Sequence, residues 1–229
     1  RFVLRVRDVA EDAEHKARAI LAALAAPPGA PNWYGEQRFG RDGDNAARGR
    51  ALVTGERPLG RDRRLDRLMI SALQSQLFND WLTARIGDGL YRAVLAGDVL
   101  HKRGGGMFVC DDPATDQARL AAGDLVVTGP MFGDRMRMPG TASPALAREA
   151  EVLARAGIPR EAFSPQRVRA LAEGTRRDAA VEVAGATVAP VDGSTIEIAF
   201  ALPGGAYATA VMREVMKSDQ VVDAGPPAA

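Results

Sequence analysis

Cysteine, histidine and lysine are all scarce in this chain of 229 residues. Its single cysteine, Cys110, excludes an internal disulfide and reads as a small apolar filler in a strand. With only His15 and His101 as histidines, a zinc site would need mostly carboxylate ligands, which argues against the usual zinc modules. A Ser-His-Asp arrangement survives the count, but no Gly-x-Ser-x-Gly elbow is present. No apolar run approaches the length of a membrane span and no signal peptide is visible, so the expected location is the cytoplasm. Lys16, Lys102 and Lys217 are the only lysines, leaving 27 arginines among the 30 basic residues. The net charge is only +1, so any recognition of phosphates must rest on local patches. Arginine's planar fork suits that task, although a GC-rich genome gives the same bias.

What is present is an ordinary globular composition, 46% hydrophobic and 26% charged, long enough for one or two domains. The stretch around which the chain is organised is Pro31-Asn32-Trp33-Tyr34-Gly35-Glu36-Gln37-Arg38-Phe39-Gly40, continuing to Asn45. It has neither helix nor strand period and reads as an ordered loop, with Trp33, Tyr34 and Phe39 as burial anchors. Arg38 and Arg41 are free to meet phosphates in that reading; a well-packed crossing between domains is the other one.

Before this loop, Phe2 to Arg7 alternates as a strand and Glu11 to Ala26 has helical spacing, stopped by Pro27-Pro28-Gly29. A sheet strand at residue 2 suggests a chain that starts inside a larger protein. After the loop, Asn45 to Val53 and Leu68 to Ile86 read as helices, the second with Leu73, Leu77 and Trp81 at steps of four. Gly97–Leu100 and Met107–Cys110 read as strands around a Gly104-Gly105-Gly106 hairpin tip, followed by a strand and turn over 124–133. Ser143-Pro144 and Ser164-Pro165 each look like a helix start. Val181–Val188 and Thr195–Leu202 form an antiparallel hairpin around Asp192-Gly193, and Gly204–Lys217 a closing helix before a frayed tail from Ser218.

The run PNWYGEQRFG with Asn45 resembles the signature of the TruD family of transfer-RNA pseudouridine synthases. Further similar segments follow in the family's order: SALQSQLFN at 71–79, Thr128-Gly129-Pro130 with Phe132-Gly133, the pair Arg176-Arg177, and Phe200-x-Leu202-Pro203-x-Gly205-x-Tyr207-Ala208-Thr209 with Arg213-Glu214. The resemblance implies an α+β protein in which part of a pseudouridine-synthase catalytic sheet domain, residues 1–30 and 178–229, is interrupted by a mixed α/β insertion (TRUD) domain over 31–177. It implies isomerisation of a uridine in tRNA to pseudouridine, with no cofactor and no metal, by a monomer whose partner is tRNA. A non-catalytic RNA-binding fragment is the alternative; a small-molecule hydrolase finds no supporting motif.

In the family the nucleophilic aspartate lies in a Lys-Asp motif upstream of the opening strand, and these residues contain no Lys-Asp dipeptide. The chain by itself is therefore expected to be inactive. Asp42, Asp44 and Asp98 sit in glycine-flanked turns, where aspartate is common for backbone reasons. The substrate-binding residues implied are Phe2, at the phenylalanine of the family's Asn-x-Phe motif, and Tyr207, which would line the same base pocket. Core packing is the competing role for both. Arg38, Arg176 and Arg177 are implied phosphate contacts, with ion pairing between the two lobes as the other reading.

Overall fold

The computed structural model describes residues 1–217, and the expected tail from Ser218 lies outside them. The described chain divides into two compact units, Arg1–Trp33 with the chain from Ala180 onward, and Tyr34–Ala179.

The first unit opens with β1 (Phe2–Val6), whose Phe2, Leu4 and Val6 turn inward while Val3 and Arg5 face solvent. α1 (Ala13–Ala25) buries Ala17 and Leu21 and carries Lys16–Asp12 and Arg18–Glu14 pairs one turn apart on its outer face. After Pro27-Pro28 the chain forms β2 (Ala30–Pro31), which pairs with β7 (Ala180–Val181). Gly29 makes that pairing possible: its φ is +115° and a Cβ there would lie 2.3 Å from the Val181 carbonyl oxygen. β8 (Ala184–Asp192) and β9 (Thr195–Ala201) form the expected hairpin, and β9 is the middle strand of the sheet β1-β9-β8. Register pairs Phe2 with Phe200, Leu4 with Ile198 and Val6 with Ile196, so both inward faces coincide. Ile198, Phe200, Leu21, Val211 and Met212 share this core. α7 (Ala208–Met216) begins four residues later than its periodicity suggests, because Gly204-Gly205 is spent on a turn with Gly205 at φ +84°.

The second unit starts with a one-turn 3-10 helix over Glu36–Phe39, then α2 (Asn45–Thr54) and α3 (Arg63–Gly87). α3 starts five residues before the expected Leu68, since the Asp62 carboxylate accepts the Arg64 and Leu65 N–H groups. β3 (Val99–Lys102), β4 (Met107–Val109), α4 (Pro113–Ala122) and β5 (Leu125–Met131) follow, then α5 (Pro144–Arg155), α6 (Gln166–Arg169) and β6 (Thr175–Asp178). The antiparallel sheet runs β4-β3-β5-β6, with β5 buried along its whole length. α3 lies against β5 where Gly129 leaves room: a Cβ there would stand 2.5 Å from the Trp81 ring and 2.7 Å from Phe78.

Several expectations change. The second Ser-Pro start yields only the four residues of α6, preceded by a 3-10 turn over Arg160–Phe163 and with no side-chain cap at Pro165. α4 and β6 escape the periodicity reading, one because its stripe is thin, the other because a polar Thr-Arg-Arg-Asp run forms the strand. Asp98 is no mere turn residue. Its carboxylate takes both Arg85 Nη groups, at 3.0 and 2.6 Å, with the two side chains 4% and 1% exposed. Cys110 is buried just past the end of β4, and burial, with Asp116 beside it, pushes its thiol up to about 12.

Candidate functional site

α3 presents two stripes. Leu73, Leu77 and Trp81 are the apolar one, and Ser71, Ser75 and Asn79 make a polar one, also one residue per turn. The polar stripe grips the loop that begins the second unit. Asn79 Oδ1 accepts the Tyr34 N–H at 3.0 Å while its Nδ2 donates to the Tyr34 carbonyl at 3.0 Å. One turn back, Arg38 Nε donates to Ser75 Oγ at 3.0 Å, and Arg38 Nη2 donates to Ser71 Oγ. The Ser75 hydroxyl proton goes to the Ser71 carbonyl at 2.8 Å, which leaves its lone pairs toward Arg38.

Between these grips stands the Tyr34 ring, edge-on to Phe78 with centroids 5.8 Å apart. Two guanidinium groups converge on it. Arg177, from β6, lies 3.9 Å from the ring centroid, and Arg38 lies 5.6 Å from it. A cation over an aromatic face is stabilised by about 0.5–2 kcal/mol. Arg38 is half-buried, and among the described residues it has no ion-pair partner. Its Nη1 has no hydrogen-bond partner there either, so the Nη1–Nη2 fork stays open. A fork of this kind matches the oxygen spacing of a phosphate.

Arg176, next to Arg177, is placed differently. Its side chain is 2% exposed and pairs with Glu149 at 2.7 Å. Nε and Nη2 donate to the Thr128 hydroxyl at 3.1 Å and carbonyl at 2.6 Å, and Nη1 also reaches the Arg137 carbonyl at 3.4 Å. Strand alternation explains the contrast: on β6 neighbouring side chains leave opposite faces, so one arginine enters the unit and the other meets Tyr34. The expected phosphate role for Arg176 is corrected on this ground. The reading that describes it is ion pairing, within one unit and not between lobes.

Phe2 and Tyr207 belong to the first unit. Phe2 is half-buried on β1 with its ring 5.8 Å from Phe200, and Tyr207 is the half-buried residue that starts α7. The sequence reading brought forward Arg38 and Arg177 but took Tyr34 only as an anchor, and it missed Ser71, Ser75 and Asn79. Their spacing of four was visible; only the apolar stripe of the same helix was followed.

The model of the family described as tRNA pseudouridine synthase D (TruD) matches residues 61–215. The chain belongs to the TruD family. The match includes Ser71, Ser75, Asn79, Arg177 and Tyr207, whereas Phe2, Tyr34 and Arg38 precede it. Similar proteins include tRNA pseudouridine synthase D of Anaeromyxobacter dehalogenans strain 2CP-C, 49% identical over 227 residues, 96% of this chain and 62% of that one. The protein of the same name from Thermus thermophilus is 41% identical over 203 residues, 88% of this chain and 54% of that one. The chain thus spans about three-fifths of the length of such relatives. The fold matches the crystal structure of a Methanosarcina mazei protein assigned as tRNA pseudouridine synthase D, with a TM-score of 0.75 at 20% identity, over 95% of this chain and 68% of that one. This TruD-family chain has the α+β pseudouridine-synthase fold.

Proposed function

We propose that the chain is the substrate-gripping part of an enzyme that isomerises a uridine in tRNA to pseudouridine. The first unit would be part of the catalytic sheet domain and the second the insertion domain. The observation that carries the reading is the open Arg38 fork: a half-buried cation held by neutral hydroxyls, with no carboxylate partner among the described residues, is built to receive an anion. The Arg177 guanidinium on Tyr34 adds a second positive charge and a flat surface of the kind on which unstacked bases rest. Phe2 and Tyr207 are the proposed residues against the target base, once that base has left its stack. Relatives bearing the name tRNA pseudouridine synthase D support tRNA as the partner.

The reaction breaks the bond from uracil to ribose, turns the base and rejoins it through carbon, which requires a nucleophile held against the sugar. Among these residues no Lys-Asp dipeptide is available for that task. The gripping residues would therefore bind tRNA, and turnover would need the Lys-Asp segment. That same absence favours the second reading, a fragment that binds RNA without reacting.

Two measurements test the proposal. Unmodified tRNA should bind the chain with an affinity that falls as salt rises, because phosphate contacts release counterions. Tritium release from uridine-labelled tRNA should be absent for the chain alone. It should appear when the chain is joined to a segment carrying the Lys-Asp motif. Salt-independent binding, or none, refutes the RNA reading; binding with no release even in the joined protein leaves the non-catalytic reading in possession.

A further inference from the structure

We infer that Ser71 and Ser75 are positioning residues, whose task is to present the open fork of Arg38 to a phosphate group. The inference rests on the RNA reading above for the source of that phosphate, but its geometry stands within one unit. Five N–H groups surround a guanidinium, and the two serines take one along each of two neighbouring nitrogens, Nε and Nη2. What remains is the opposite edge, Nη1 with the second N–H of Nη2, a complete bidentate fork. Ser75 is fully buried, and its hydroxyl is itself fixed by the Ser71 carbonyl at 2.8 Å. The α3 backbone therefore aims the donor through a hydroxyl with little rotational freedom.

The choice of hydroxyls carries the argument. A loop arginine that served only to anchor residues 35–40 on α3 would be held more strongly by an aspartate or glutamate. That partner would cancel its charge. Serine oxygens fix the orientation and leave the full positive charge in place. The Tyr34 ring works in the same sense, limiting the swing of the side chain at 5.6 Å without neutralising it. Asn79 completes the row one turn on, holding the Tyr34 backbone from which the Arg38 turn starts.

The test uses the chain with the single variants Ser71→Ala, Ser75→Ala and Arg38→Ala, and Ser71→Thr as the conservative control. The guanidinium ¹⁵N–¹H signals of Arg38 report positioning directly. In the wild type, the Nε–H signal should be sharp and slow to exchange, and inorganic phosphate should shift the Nη signals. In either Ser→Ala variant, Nε–H should broaden and the phosphate response should weaken. In titrations with an unmodified tRNA transcript, each Ser→Ala change should weaken binding about two- to tenfold, the range of one lost hydrogen bond. It should have no further effect once Arg38 is alanine, and Ser71→Thr should behave as wild type. Unchanged Arg38 signals in both serine variants overturn the inference, as does an equal tRNA loss in the Arg38→Ala background. A phosphate response that depends on the serines, in a chain that ignores tRNA, supports the positioning role and refutes the RNA reading instead.

Discussion

Arg176 offers the sharpest separation of a structural arginine from an RNA-binding one, and the consequence of removing it can be worked from its partners. Arg176→Ala deletes the ion pair of a Glu149 side chain that is 3% exposed, together with both bonds to Thr128. Breaking a buried pair from one side costs about 3–5 kcal/mol. For a protein of this size each kcal/mol moves Tm by roughly 2–4 °C, so the melting point should fall by about 6–20 °C. The size of the loss should depend on pH, and its sign follows from Glu149. Burial already pushes that carboxyl above its ordinary value of 4.5, against the pull of the Arg176 charge. Without Arg176 the main opposition to that push is gone and only the weaker pull of Arg160 remains, so the folded variant holds a proton that the unfolded chain has released. Stability then falls as pH rises from about 4.5 upward. The deficit in Tm should accordingly be small near pH 5 and approach its full size by pH 8, followed by circular dichroism in matched buffers. A double variant, Arg176→Met with Glu149→Leu, should recover most of the loss, since an apolar pair of similar volume needs no charge compensation. A deficit of equal size at both pH values, or no deficit together with a reduced salt slope for tRNA, would refute the assignment of Arg176 to the interior.

Three further outcomes are expected. Asn79→Ala removes both grips on the Tyr34 backbone and should lower stability by about 1–3 kcal/mol in denaturant titrations, with faster proteolysis near Gly35–Gly40; unchanged cleavage would mean that the loop is held elsewhere. Gly129→Ala drives a methyl to within 2.5 Å of Trp81 and should destabilise by about 1–3 kcal/mol. A neutral result there would show that β5 and α3 separate easily. Cys110, buried and with its thiol pushed up to about 12, should ignore a disulfide reagent at pH 8 until the chain is unfolded, and rapid labelling of the native protein would contradict that placement.

Much of the first unit was legible because its elements obey simple periods. Phe2, Leu4 and Val6 alternate, Asp192-Gly193 marks the hairpin, and Pro27-Pro28 stops a helix. The second unit conceals more, since its polar residues work inside it. β6 reads as a polar connection until Arg176 is seen to turn inward to Glu149. Asp98 reads as a turn residue until Arg85 arrives from α3, 13 residues away. Long-range pairing of this kind leaves no local signature. The site was half visible: Arg38 and Arg177 stood out through the family resemblance, and the Ser71-Ser75-Asn79 row was open to anyone counting polar residues by fours. The convergence of Arg38 and Arg177 on one tyrosine was not, because β6 and the 3-10 turn lie more than a hundred residues apart.

Three arginines of the second unit, Arg38, Arg85 and Arg176, contrast electrostatically, and the contrast makes a last prediction. Arg85 and Arg176, both almost fully buried, are each matched with a carboxylate, as burial of a charge demands. Arg38 is half-buried and, among the described residues, matched only with hydroxyls and a ring. Giving Arg38 a carboxylate partner as well should therefore keep the fold and weaken the proposed function. Ser71→Asp does this at a half-buried position one side chain from Nη2. The carboxylate can hold the guanidinium at least as firmly as the serine, so Tm should stay level or rise slightly. The fork's charge, however, is then cancelled within the protein. Binding of the tRNA transcript should weaken by about tenfold, with a shallower salt dependence, because one fewer phosphate is neutralised. If affinity and salt slope both survive this substitution while thermal stability is kept, Arg38 is an anchor of its loop and nothing more.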